Sequence, residues 1–119
     1  MYITVADTQV VSEVQSVLWS TFQQGSIKMP MIIKNSGVNT MNYQIQEYTG
    51  SAWQVIGNAA SGTDYYNTLS PNEVKEIIVT SAYPQVQMIG NASGGAFLEF
   101  TSIRYFNRAS GGAIPILSL

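Results

Sequence analysis

The chain has 119 residues, a net charge of −2 and only 10% charged side chains. That is enough for one domain with a core of its own, made soluble mainly by Ser, Thr, Asn and Gln. It contains no cysteine and no histidine, which excludes a disulfide framework, a thiolate metal site and the commonest general base. The charge balance offers no nucleic-acid footprint, nothing approaches a membrane span, and Met1-Tyr2-Ile3-Thr4 lacks the start of a signal peptide.

Residues 1–6, MYITVA, read either as a first strand or as a free arm. Residues 7–24 are ambiguous. Val10, Val11, Val14, Val17 and Leu18 sit at helical spacing behind Asp7 or Thr8 as a cap. Yet valine, serine and threonine suit a strand better, and the balance favours a strand over 14–22 with a turn at Gln23, Gln24, Gly25 and Ser26. Residues 27–34, IKMPMIIK, read as a strand in which Pro30 cannot donate to a ladder, which predicts an edge or a bulge. Asn35, Ser36 and Gly37 close it.

Residues 42–48 and 53–56 predict a hairpin over Thr49, Gly50, Ser51 and Ala52. Its register sets Tyr48 against Trp53, Gln46 against Val55 and Ile45 against Ile56, with neither face cleanly polar. Residues 57–67, GNAASGTDYYN, read as loop. Leu69, Ser70, Pro71, Asn72 and Glu73 carry a turn signature, with proline at the second position and an asparagine able to take positive φ at the third. Residues 74–80, VKEIIVT, are the next strand, and Ala82, Tyr83 and Pro84 make a corner.

Residues 83–107 then read as a long hairpin and the spine of the fold. Asn91, Ala92, Ser93, Gly94 and Gly95 form its loop. Gly90 faces Ala96, Met88 faces Leu98 and Val86 faces Phe100, which gives one continuous apolar face. The other face pairs Ile89 with Phe97 and Gln87 with Glu99. Roughly six to eight short strands separated by turn chemistry predict an all-β fold, an antiparallel β-sandwich that is jelly-roll-like or immunoglobulin-like. The expected organisation is a single domain over 1–119, with extended N- and C-terminal arms at 1–6 and 109–119.

No pattern for catalysis emerges. Glu73 and Glu76, the nearest carboxylates, point to opposite faces of a strand with Lys75 between them. They suit a charged sheet edge better than an acid–base pair. A serine nucleophile would need a base, and none of Lys28, Lys34 or Lys75 sits in a Ser-x-x-Lys pattern. Ser-Gly-Gly at Ser93 and at Ser110 lacks the lysine and helix of a phosphate loop. Neither an enzyme nor a cofactor is expected.

Two kinds of contact surface are expected instead. Tyr48, Trp53, Tyr65 and Tyr66 lie near Asn and Asp and could form a sugar-stacking platform, as in a glycan-binding module of a tail or fibre. The competing reading makes Tyr48 and Trp53 a cross-strand packing pair. Arg104 and Arg108 flank Tyr105, Phe106 and Asn107, either as interface hot-spot chemistry or as solvated strand ends.

Beyond Ser110, Gly111 and Gly112 the tail has no charged side chain. Exposed, it would be an aggregation hazard, so it folds back on its own domain or docks on a neighbour. Burying Ile114, Ile116, Leu117 and Leu119 yields roughly 6–12 kcal/mol. Ordering the segment costs about 7–14 kcal/mol, so a docked tail holds usefully only when several copies act together. With Tyr2, Ile3 and Val5 at the opposite end, the expected protein interface comprises Tyr2, Ile3, Val5, Arg104, Arg108, Ile114, Ile116, Leu117 and Leu119.

The order of these turns is itself informative. A strand ending in Asn35-x-Gly37, a Gly50-Ser51-x-Trp53 hairpin, a Leu69-x-Pro71-x-Glu73 turn and the Tyr83-Pro84 corner, spread over residues 32–100, resemble small β-sandwich virion proteins of tailed phages. The likeness is greatest to capsid decoration, or cement, proteins. It implies a homo-oligomer, with a trimer favoured, made in the host cytoplasm and seated on the virion. Its extended ends would clamp the major capsid protein or other virion subunits. The resemblance carries no catalytic residue.

Overall fold

Strict alternation shapes the central strands. Along β3 (Ile27–Asn35), Ile27, Met29, Met31, Ile33 and Asn35 are buried while the residues between them turn outward. The same two-residue period runs through β4 (Met41–Tyr48), β7 (Val74–Ser81), β8 (Gln85–Asn91) and β9 (Ala96–Ser102). One face of each strand is thereby committed to the core. The computed structural model describes residues 3–102, 107–108 and 117–118. Its remaining strands are β1 (Ile3–Val11), β2 (Ser16–Phe22), β5 (Trp53–Val55), β6 (Tyr66–Leu69), β10 (Asn107–Arg108) and β11 (Leu117–Ser118).

These strands form two antiparallel sheets packed as a sandwich, in the orders β11-β1-β9-β3-β7 and β10-β2-β8-β4-β5, with β6 pairing β4. The core between them includes Leu18, Trp19, Met29, Ile33, Tyr43, Ile45, Met88, Leu98 and Phe100, each no more than 2% exposed. Trp19 meets Phe100 across the interior at 6.3 Å between ring centres. No helix among the described residues is long and apolar enough to cross a membrane.

Several expectations hold in detail. The hairpin of β4 and β5 has the register read from the sequence, with Gln46 opposite Val55 and Tyr48 opposite Trp53. In the turn at residues 70–73, Asn72 takes φ 64° and the Glu73 amide donates to the Ser70 carbonyl at 2.9 Å. Residues 14–22 are largely the strand β2, with a register shift between Val17 and Trp19 that explains their broken alternation.

Other expectations are corrected. The spine is not a hairpin: β8 pairs β2 and β4, whereas β9 pairs β1 and β3. Val86, Met88, Leu98 and Phe100 are buried as expected, but from opposite sheets. Alternation identifies the buried face of a strand and not its partner, and a Gly-Gly loop serves a crossing as well as a hairpin. For the start of the chain the strand reading holds, since β1 runs from Ile3 to Val11, and the helical alternative for residues 7–11 does not.

Pro30 lies on an internal strand, opposite Ile78 of β7, and not at a sheet edge. Its carbonyl accepts from Ser102 Oγ at 3.0 Å, so its donorless nitrogen faces the β9 side, one residue past the Met31–Ser102 pair. The region read as loop ends in β6, starting at Tyr66, and Ile56 falls in a 3-10 turn (Ile56–Asn58) instead of facing Ile45. Of the terminal residues expected at an interface, Ile3 and Val5 belong to β1, Arg108 to β10 and Leu117 to β11. β11 pairs with β1 through Ile3–Ser118 and Thr4–Leu117. Tyr2, Arg104, Ile114, Ile116 and Leu119 lie outside the described residues.

Where β3 gives way to the next loop, Gly37 packs directly on the start of β9. A Cβ there would stand 2.8 Å from Ala96 Cα and 2.9 Å from Phe97 N. Gly37→Ala is expected to cost about 1–3 kcal/mol, read as a lower urea midpoint at unchanged slope. An unchanged midpoint would contradict the close approach.

Candidate functional site

The sandwich turns two chemically different faces outward. On the six-stranded sheet, Asn42, Gln44, Gln46 and Tyr48 alternate with the inward Met41, Tyr43, Ile45 and Glu47. Across from them, Gln87, Ile89 and Asn91 of β8 pair in register with Gln46, Gln44 and Asn42. Gln87 Nε2 donates to Gln46 Oε1 at 2.9 Å, and Gln46 Nε2 donates to Gln44 Oε1 at 3.1 Å. The result is a relay of neutral amides whose members fix one another's orientation. Beside its Gln44 end lies a groove of about 200 Å³ lined by Gln15, Asn42, Gln44, Tyr66, Ile89 and Asn91 among others.

The outer face of the five-stranded sheet is apolar along its middle. Ile32 is 44% and Ile78 55% exposed; with Pro30, Glu76 and Thr101 they border a depression of about 510 Å³. Towards one end of the sandwich Val10, Phe97 and Val38 are also exposed and line a second depression of about 370 Å³. Glu76 is exposed on β7, the last strand of that sheet, as a charged edge residue should be. Glu73 instead serves the preceding turn, where its Oε1 accepts from the Ser70 amide at 2.8 Å.

The four candidate aromatics do not form one platform. Tyr48 and Trp53 pack on each other at 5.2 Å between ring centres, with planes 49° apart. Tyr66 stands opposite Gln44 on the amide face. Tyr65 turns to the other sheet: its hydroxyl donates to the Ile78 carbonyl at 2.7 Å and accepts from the Thr80 amide at 3.2 Å. A single phenol thus engages a carbonyl and an amide on β7, in place of a neighbouring strand. This is a way of blunting an edge that would otherwise recruit another chain.

Two buried polar groups tie the sheets together. Glu47 is 4% exposed. Its Oε1 accepts from Ser81 Oγ at 2.7 Å, and its Oε2 accepts from Gln54 Nε2 at 2.7 Å and the Gly57 amide at 3.1 Å. Asn35 donates to the Leu69 and Asn39 carbonyls and accepts from the Gly37 amide, all within 2.9 Å. Tyr43 donates to the Asp64 carbonyl at 2.9 Å. Burial first, then the charges of Asp64 and Glu73, push its phenol well above the ordinary range, so it stays a neutral donor.

The amides were the signal missed in the sequence. Residues 42, 44, 46 and 48 present an Asn-x-Gln-x-Gln-x-Tyr alternation. Glu47 disguised it by standing on the inner side among apolar residues, where carboxylates are rare.

The Tyr65 contact makes a separable prediction. Tyr65→Phe keeps the ring and deletes both hydrogen bonds, with an expected loss of about 1–3 kcal/mol and concentration-dependent association in light scattering. A variant as stable and as monodisperse as the parent would show that the phenol does not guard the edge.

No family model matches the chain, and no curated protein matches it. Among solved structures it is similar to the crystal structure of PirA, at a TM-score of 0.61 and 13% identity, over 82% of this chain and 93% of that one. At that identity the likeness carries the sandwich fold alone.

Proposed function

We propose that this chain is a structural protein of a tailed-phage virion, a capsid decoration protein that binds between shell subunits and stabilises the shell. One observation carries the reading most: the apolar strip of Pro30, Ile32 and Ile78 on the outside of the five-stranded sheet. An apolar sheet face of this kind on a chain with so few charges suits a protein partner that desolvates it. The turns behind the resemblance to decoration proteins add support, since each closes or joins sandwich strands: residues 35–37 after β3, 49–52 between β4 and β5, 70–73 before β7, and 82–84 before β8.

In this reading the partner is the major capsid protein or another virion subunit, and the chain acts as a homo-oligomer, with a trimer favoured. The ends contribute by holding their own sheet edge at β1 and β11 and by presenting the remaining apolar tail to the shell. The protein works by occupancy and has no reaction to catalyse.

The test is binding to shells purified without this protein. Ile32→Lys with Ile78→Lys alters two exposed positions, so the fold should survive, while shell occupancy is expected to fall at least about tenfold. Deletion of residues 113–119 should weaken shell binding or self-association and leave a folded domain. Full occupancy by the double variant, or unchanged mass and occupancy after the deletion, would defeat the proposal.

A further inference from the structure

The amide face of the six-stranded sheet lies on the far side of the sandwich from the apolar strip and is left without a role by a shell-binding function. We infer that the groove beside Gln44 and Tyr66 is a binding site for a neutral glycan, receiving a hexose unit of an uncharged oligosaccharide. This inference is independent of the shell reading, so either can fail alone.

The chemistry of the lining points to a polyhydroxyl ligand. Each carboxamide offers a donor and an acceptor, which matches a hydroxyl that must do both. Gln44 is oriented in advance: its Oε1 is taken up by Gln46 Nε2 at 3.1 Å, and Gln46 is held by Gln87 at 2.9 Å. That leaves the Gln44 amide hydrogens to donate into the groove. Asn42 Nδ2 and Asn91 Oδ1 are 3.5 Å apart at an exposed position, a long contact that a ligand hydroxyl can bridge at shorter distances on both sides. Tyr66 is 37% exposed and stands opposite Gln44, so an aromatic ring borders the amides, as an apolar sugar face requires. A few fixed polar groups beside an aromatic, in a concave site of about 200 Å³, suit a single sugar ring at modest affinity.

Charge narrows the class further. None of the residues lining the groove is charged, and Lys75, which reaches β6 from the other sheet, spends its ammonium on the Thr68 carbonyl. An acidic sugar or a phosphate would therefore find no counter-charge in the lining. A protein partner is less suited, because interface centres favour apolar, aromatic and arginine side chains over paved amides. Self-stacking of the amides between copies is the rival that matters.

The test uses the full chain labelled with nitrogen-15. Maltotetraose, cellotetraose and lacto-N-tetraose serve as neutral probes, and trigalacturonate serves as the acidic one. At least one neutral probe is expected to shift the side-chain amide signals of Asn42, Gln44 and Asn91 saturably. Tyr66→Ala and, independently, Gln44→Glu should weaken that binding about tenfold, whereas Trp53→Ala should leave it intact. The inference is overturned if no neutral probe gives a saturable shift, if both groove variants bind like the parent, or if trigalacturonate binds as well as the neutral sugars. It is equally overturned if the same signals move with protein concentration in the absence of sugar, which would assign the face to a second copy.

Discussion

Between Asn91 and Ala96 the chain crosses from one sheet to the other, and the crossing commits Val86, Met88, Leu98 and Phe100 to one interior from opposite sides. Fully burying side chains of this size contributes about 1.5–3 kcal/mol each, so the choice is not locally neutral. The crossing itself is anchored on both flanks. The Ala92 amide donates to the Ser12 carbonyl at 2.9 Å, the Gly94 amide to Glu13 Oε1 at 3.2 Å, and Asn39 Nδ2 to the Gly95 carbonyl at 2.8 Å. Gly94 and Gly95 take φ of 85° and 82°, which lets the chain leave one sheet and enter the other within a few residues.

Once β8 and β9 are separated, the composition of each outer face follows. β8 contributes Gln87, Ile89 and Asn91 to the sheet that already carries Asn42, Gln44 and Gln46. β9 contributes Phe97, Glu99 and Thr101 beside Lys34 and Ile32. Had the two strands paired as a hairpin, Gln87 would have stood beside Glu99 and Ile89 beside Phe97, and both faces would be mixed. The actual division gathers neutral amides around Ile89 on one side and sets the apolar Pro30, Ile32 and Ile78 among Lys34, Glu76 and Glu99 on the other. Between them, Glu47 and Ser81 link β4 to β7 through a buried hydrogen bond of 2.7 Å, so the two faces are held at a fixed relation.

Much of this was legible in the sequence, and the limits have physical causes. Local signals read well: the Tyr48–Trp53 register, the turn through Pro71 and Asn72, and the apolar faces of β8 and β9 are set within a few residues of chain. Partner choice is different. Val86–Phe100 and Val86–Glu47 pairings satisfy the same alternation, and only long-range competition among β1, β2, β3 and β4 decides between them. Pro30 misled because a missing donor excludes one ladder bond and not a place inside the sheet. Tyr65 and Tyr66 are adjacent and look equivalent, yet one phenol reaches β7 while the other borders the groove. Glu47 hid the amide face, because a carboxylate satisfied by Ser81, Gln54 and Gly57 reads in sequence as a surface charge.

The separation of β8 from β9 therefore underlies both surfaces, and backbone nuclear Overhauser contacts test it most directly. Met88 should show strand contacts to Trp19 and Ile45, and Leu98 to Gln9 and Asn35. A backbone strand contact between Met88 and Leu98 would restore the hairpin, mix the two faces and contradict the account.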